Sequence, residues 1–195
     1  MSHTDEIRSF IAIPLPDEIK QLITQKISTL KTIFPSNSIK WVQANNIHLT
    51  LKFLGNQSKS VLNELINKLE EAQTIERFTL SIEKLGAFPS IYKPNVIWVG
   101  VSTHKNLEAL NKKVSLISYS LINDIDNKSF SPHLTIARIK AGIHKDQFEV
   151  IKKGLFDNRE LPKVDFPVSH FSVYKSTLTP QGAIYNIFHK FDLSE

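Results

Sequence analysis

Cysteine is missing from this chain of 195 residues. Its absence excludes disulfides, thiolate nucleophiles and thiolate metal sites, and it suits a reducing compartment. Long apolar runs are missing too. Nowhere do about 18 apolar residues follow one another, so no segment of the sequence is a candidate membrane-spanning helix. The first residues, Met1 to Glu6, are polar and acidic and lack the apolar stretch of a secretory signal. A cytoplasmic location is therefore expected, with no membrane partner. Low-complexity tracts and flexible linkers are absent, and the length suits one domain, residues 1–195, built from two lobes and acting as a monomer. Acidic charge is in deficit: 19 Asp and Glu stand against 24 Lys and Arg, a net charge of +5. The resulting pI near 9.3 favours an anionic partner such as phosphate or nucleic acid. Hydrophobic residues make up 41% of the chain, enough for a packed interior, which argues against disorder.

Periodicity divides the chain into alternating strands and helices. Arg8 to Ile13 reads as a strand ended by Pro14 and Pro16. Asp17 to Phe34 reads as an amphipathic helix, with Ile19, Leu22, Ile23, Ile27, Leu30 and Ile33 at helical spacing. Extended structure is predicted at Lys40 to Gln43, a turn at Ala44 to Asn46, and a strand from Ile47 to Leu54. A second helix is predicted over Ser60 to Ala72, then a strand over Phe78 to Leu85, a loop over Gly86 to Ser90 and a strand over Val96 to Val101. Lys105 to Leu121 reads as a third helix and Asn123 to Ser129 as a polar loop. His133 to Ile139 is a further strand, and Asp146 to Lys153 a short fourth helix. Val164 to Lys175 and Ala183 to Phe191 read as two closing strands around Pro180-Gln181-Gly182. The class is α+β.

One segment occurs twice. His48-Leu49-Thr50-Leu51 returns as His133-Leu134-Thr135-Ile136, each time in a strand. The echo suggests two similar halves, each giving one strand to a shared cleft. Alternate residues of a strand share a face, so each copy presents an imidazole and a hydroxyl on one side and two aliphatic anchors on the other. Two imidazoles and two hydroxyls around one phosphorus suit phosphoryl transfer. One neutral His takes a proton from water, one protonated His gives a proton to the leaving oxygen, and both states are accessible near neutrality. The Thr hydroxyls donate to the non-bridging oxygens.

A lone His-x-Thr carries almost no information; it is the second His-Leu-Thr-aliphatic copy that gives the signal weight. The competing reading makes His48 and His133 ordinary half-buried strand residues beside Thr, a natural β-former. A two-histidine zinc site is disfavoured, because neither segment adds a carboxylate at i+2 or i+4 and cysteine is absent. No metal and no cofactor are expected. His3, His104, His144, His170 and His189 sit in no motif and receive no role.

The paired segments and their surroundings resemble the RNA 2',3'-cyclic phosphodiesterase family, also called bacterial-type 2'-5' RNA ligases, within the 2H phosphoesterases. Arg8-Ser9-Phe10-Ile11-Ala12-Ile13-Pro14-Leu15 is similar to the family's opening strand. Trp41-Val42 and Asn46-Ile47-His48-Leu49-Thr50-Leu51-Lys52-Phe53-Leu54-Gly55 are similar to its first motif. Gly86-Ala87-Phe88-Pro89-Ser90 and Val96-Ile97-Trp98-Val99-Gly100-Val101 resemble its middle signatures. Phe130-Ser131-Pro132-His133-Leu134-Thr135-Ile136-Ala137-Arg138 resembles its second motif, and Ser176, Leu178, Pro180, Gly182 and Tyr185 its closing hairpin. The resemblance implies a bilobal 2H phosphoesterase-like fold, with antiparallel sheets facing a central cleft and helices outside. It implies His48 as proton donor, His133 as proton acceptor, and Thr50 and Thr135 as phosphate holders. The implied reaction opens the 2',3'-cyclic phosphate end of RNA to a 2'-phosphate without metal, and the same site can run as a 2'-5' ligase. The family often carries Arg two residues before the Phe of the second motif. This chain has Lys128 there, which keeps the charge but not the bidentate fork.

Three further positions are candidates for substrate contact. Lys52 shares the parity of His48 and Thr50, and is the best placed of several lysines, among them Lys40, Lys93, Lys140 and Lys175, that could line an RNA path. Phe53 has the opposite parity, which points to core packing, with base stacking at the cleft rim as the alternative. Arg138 lies three residues after Thr135, so strict alternation turns it away from the cleft. A bulge would return it as a phosphate or RNA contact, and a surface ion pair is the competing role. Two other functions stay open from sequence: a phosphodiesterase for a small cyclic nucleotide or ADP-ribose cyclic phosphate, and an RNA-binding module without turnover.

Overall fold

The structure is a computed structural model, which describes residues 6–122, 129–180 and 182–195. His3, Lys128 and most of the polar loop expected after Ile122 lie outside the described residues. In chain order the elements are β1 (Ile7–Pro14), α1 (Asp17–Ile33), β2 (Ile39–Trp41), β3 (His48–Gln57), α2 (Lys59–Leu69), β4 (Phe78–Ser90), β5 (Lys93–Val101), α3 (Lys105–Leu121), β6 (His133–Ile139), α4 (Lys145–Asp157), β7 (Asp165–Val168), β8 (His170–Thr179) and β9 (Gly182–Asp192). Short 3-10 turns occupy Ala44–Asn46 and Glu70–Thr74.

The strands form one antiparallel path, β7-β4-β5-β6-β3-β1-β8-β9, with β2 paired to β6. Four strands of the path lie on each side of the β6–β3 junction, which gives the two similar halves. The junction is narrow. One edge of β6 is shared between two partners: Leu134 pairs with Leu49 of β3, and Ala137 to Ile139 pair with β2. The Ala44–Asn46 turn carries the chain from one partner to the other.

Helical spacing of apolar residues buries one stripe of each helix. Ile19, Ile23, Ile27 and Leu30 are buried on α1, Leu62, Leu65, Ile66 and Leu69 on α2, Leu107, Leu110 and Val114 on α3, and Ile151 and Leu155 on α4. These stripes join the aliphatic faces of both half-sheets in one continuous core. Each fully buried aliphatic side chain is worth about 1.5–3 kcal/mol relative to exposure. Helix starts follow local chemistry. Ser58 Oγ accepts from the Val61 N–H, and His104 Nδ1 accepts from the Asn106 N–H. His144 and Gln147 form a reciprocal box at the start of α4.

Several expected boundaries move, among them the end of β3, at Gln57 rather than Leu54, and the end of α2, at Leu69 rather than Ala72. Gly86 to Ser90, predicted as a loop, continues β4 and pairs with Lys93 to Trp98 of β5. The turn there is only Ile91-Tyr92, so Gly and Pro were misleading as loop markers. The predicted single strand from Val164 to Lys175 is broken at Ser169: β7 pairs with β4, whereas β8 pairs with β1 and β9. Helix α4 runs on past Lys153 to Asp157.

Candidate active site

His48 opens β3 and His133 opens β6. The antiparallel pair Leu49–Leu134 places His48 beside Thr135 and Thr50 beside His133. The two imidazoles therefore stand on a diagonal of the pairing, where side chains are about 7–8 Å apart. His133 acts electrostatically on His48 across this gap.

Each ring is fixed in the same way. His48 Nδ1 lies 2.8 Å from the Asn46 carbonyl, and His133 Nδ1 lies 2.7 Å from the Ser131 carbonyl. A carbonyl can only accept, so Nδ1 carries the hydrogen in both rings and Nε2 is left for chemistry. Burial pushes the His48 pKa down to about 4, against a partial raising by the Asn46 carbonyl and a further lowering by His133. Burial also lowers His133, with the Ser131 carbonyl opposing and the nearby Arg138 charge assisting.

A matching irregularity follows each motif. In β3 the partners run Thr50–Ala12 and then Lys52–Ile11, so Leu51 is an extra residue. In β6 they run Thr135–Trp98 and then Ala137–Ile97, so Ile136 is extra. Each is a β-bulge, which resets the alternation beyond it. The skipped carbonyls find other donors: Asn111 Nδ2 of α3 gives to the Leu51 carbonyl at 2.9 Å, and the Val42 N–H gives to the Ile136 carbonyl at 2.9 Å.

The bulges decide the three ambiguous positions. Phe53 is 59% exposed, with its ring 6.3 Å from that of Phe10, which itself stacks on His48 at 4.6 Å. Of the two roles open to Phe53, core packing is the one the structure overturns: the reset turns it to the cleft rim. Arg138 is exposed at the equivalent place in β6, and its charge bears on His133, so it too faces the cleft. Lys52 goes the other way. Its Nζ lies 4.6 Å from the ring centre of Tyr119 on α3, the helix packed behind β3, so it does not share the face of His48 and Thr50. Alternation failed there because the bulge puts Lys52 on the same side as Leu51.

Around His48 the floor is aromatic. Phe10 is also stacked on Tyr174 at 5.1 Å and meets Tyr185 edge-on at 4.8 Å; Tyr185 meets His48 edge-on at 5.4 Å. Burial holds the Tyr174 phenol above its ordinary value, so it stays neutral. His133 instead has Phe88 edge-on at 4.9 Å and Trp98 at 6.3 Å. Trp98 reaches it by lying across Gly86 of β4, where a Cβ would fall within 2.6 Å of the six-membered ring. Sequence reading placed these five aromatic residues and Gly86 only within family-like segments or strands. Their roles come from register between strands distant in sequence.

Among the described residues no cluster of three or more His, Cys, Asp or Glu could hold a metal ion, and no helix is long and apolar enough to cross a membrane.

Comparison with known proteins agrees with this geometry. The profile of the LigT-like phosphoesterase family matches residues 13–98 and 102–185. The chain belongs to this family. Both His-Leu-Thr segments of this LigT-like phosphoesterase lie within the matched residues. Among curated relatives, the RNA 2',3'-cyclic phosphodiesterase of Methanocaldococcus jannaschii is 30% identical over 93% of this chain and 98% of its own length. That of Aquifex aeolicus is 34% identical over 79% of this chain and 81% of its own. The crystal structure of Escherichia coli LigT complexed with 3'-AMP superimposes with a TM-score of 0.77 at 25% identity, covering 98% of this chain and all of that one. The α+β, two-half 2H phosphoesterase architecture is thereby shown.

Proposed function

We propose that this LigT-like phosphoesterase hydrolyses the 2',3'-cyclic phosphate end of RNA to a 2'-phosphate, without metal, by acid–base catalysis from its two histidines. One observation carries the reading: both imidazoles are tethered through Nδ1 to the carbonyl two residues earlier, which frees both Nε2 atoms across a single backbone pair. The names of the curated relatives supply the substrate class.

In the forward reaction His133 Nε2 takes a proton from water as its oxygen bonds to phosphorus. The bond from phosphorus to the 3' oxygen breaks, and protonated His48 gives that oxygen its proton. The products are a 2'-phosphate and a 3'-hydroxyl. Thr50 and Thr135 donate to the non-bridging oxygens, Arg138 supplies fixed positive charge, and Phe53 stacks on the terminal base. A His48 pKa near 4 keeps the free ring neutral at neutral pH. The phosphate anion favours the imidazolium and restores the proton that the acid role needs. A 5'-hydroxyl replacing water in the same step forms a 2'-5' bond, which is the ligase direction.

The test is turnover of a short RNA with a 2',3'-cyclic end in excess EDTA. Expected are full activity, a 2'-phosphate product and a bell-shaped pH profile. Complete loss in chelator, or a 3'-phosphate product, refutes the reading.

A further inference from the structure

The aromatic floor beside His48 extends further than one nucleotide needs. Register pairs Phe53 with Phe10, Phe10 with Tyr174, and Tyr174 with Ile187. These four side chains make a row across β3, β1, β8 and β9. Neighbouring strands are about 4.8 Å apart, so the row spans roughly 14 Å, more than one base covers. Of its inner members Phe10 is only 4% exposed, covered by His48, Tyr174 and Tyr185, so the half-buried Tyr174 is the one open to a base. Its outer member, Ile187, is 59% exposed on the edge strand β9, an apolar group held in the open. The β8–β9 hairpin that carries it is basic on balance, with Lys175 and Lys190 against a single carboxylate, Asp192, which pairs with Lys190 at 2.6 Å.

We propose that Tyr174 and Ile187 form a subsite for the base of the second nucleotide from the RNA end, so that the cleft grips a chain of at least two nucleotides. The subsite rests on the cyclic-phosphate reading above. Once the terminal phosphate sits between the histidines, the row leads away from His48 toward β9, and a second base packs on Tyr174 and Ile187 at its outer end. Such contacts are sequence-tolerant, since every base has a stacking face. The subsite makes RNA ends, rather than free cyclic nucleotides, the preferred substrates.

The experiment compares kcat/KM for 2',3'-cyclic AMP with that for a dinucleotide ending in the same cyclic phosphate, in the natural protein and in Ile187→Ala. The natural protein is expected to prefer the dinucleotide by about tenfold or more, the order that one base stack supplies. Ile187→Ala is expected to lower the dinucleotide value about fivefold, as a partial loss of that stack, and to leave cyclic AMP unchanged. Equal use of the two substrates by the natural protein, or an equal effect of Ile187→Ala on both, overturns the subsite while the cyclic-phosphate chemistry stands. Turnover of neither substrate removes that chemistry itself, and the subsite with it. If Ile187→Ala splits a dimer in sedimentation and leaves substrate preference untouched, the exposed isoleucine serves a contact between copies, and the subsite is likewise overturned.

Discussion

The half that holds His48 and the half that holds His133 use one backbone device to different ends. In both, an imidazole is tethered to the carbonyl two residues earlier, a bulge follows the Thr, and the residue three after the Thr is turned to the cleft. The first half uses that position for Phe53 and surrounds its histidine with Phe10, Tyr174 and Tyr185. The second uses it for Arg138 and gives its histidine Phe88 and Trp98. A shared backbone thus carries unlike surroundings: an apolar, base-like floor on one side, and a charge suited to phosphate on the other. The difference shows how a repeated unit sets two histidines in unlike surroundings, because the backbone fixes the tether and the neighbours set the rest.

The comparison breaks most severely at the histidines. His48→Ala and His133→Ala are each expected to lower kcat by about 100-fold or more with folding intact, and the double variant to lose little beyond the worse single one, because the two act as a unit. Steady-state kinetics with circular dichroism checks this; independent losses that multiply would argue against a concerted pair. A smaller effect sharpens the contrast between the matched positions. Arg138→Ala and Phe53→Ala are each expected to raise KM about tenfold. The Arg138 effect should shrink as salt rises, because it is electrostatic, and the Phe53 effect should not. Titrating KM against ionic strength separates them. The smallest effect concerns the bulges. The Ile136 carbonyl is satisfied by backbone and the Leu51 carbonyl by the Asn111 side chain, so only the second can be disturbed by substitution. Asn111→Ala is expected to cost about 1–3 kcal/mol of stability in urea unfolding, the usual penalty for an orphaned buried acceptor. It should also weaken substrate binding through Phe53 rather than Arg138.

Much of this was legible in the residues, for physical reasons. Helices announced themselves by apolar spacing, and α1 and α3 fall where expected because their stripes are unbroken and their ends are marked by Pro or a cap. The paired motifs were legible because duplication is rare and because His48, Thr50, His133 and Thr135 precede any irregularity. Strict alternation failed from Leu51 and Ile136 onward, since a bulge leaves no mark in composition. Lys52 was therefore assigned to the wrong face, and the faces of Phe53 and Arg138 stayed open. The aromatic floor was illegible for another reason: Phe10 meets Tyr174 and Tyr185 only because β1 pairs with β8, a strand at the far end of the sequence.

The lone Leu49–Leu134 rung has a mechanical consequence. Strands β3 and β6 share no second rung, so the two halves are joined by this rung, by β2 lying along β6 and by the common core behind the sheet. The seam beside the two imidazoles is thus held mainly by packed side chains, as a keystone is held by its neighbours and not by mortar.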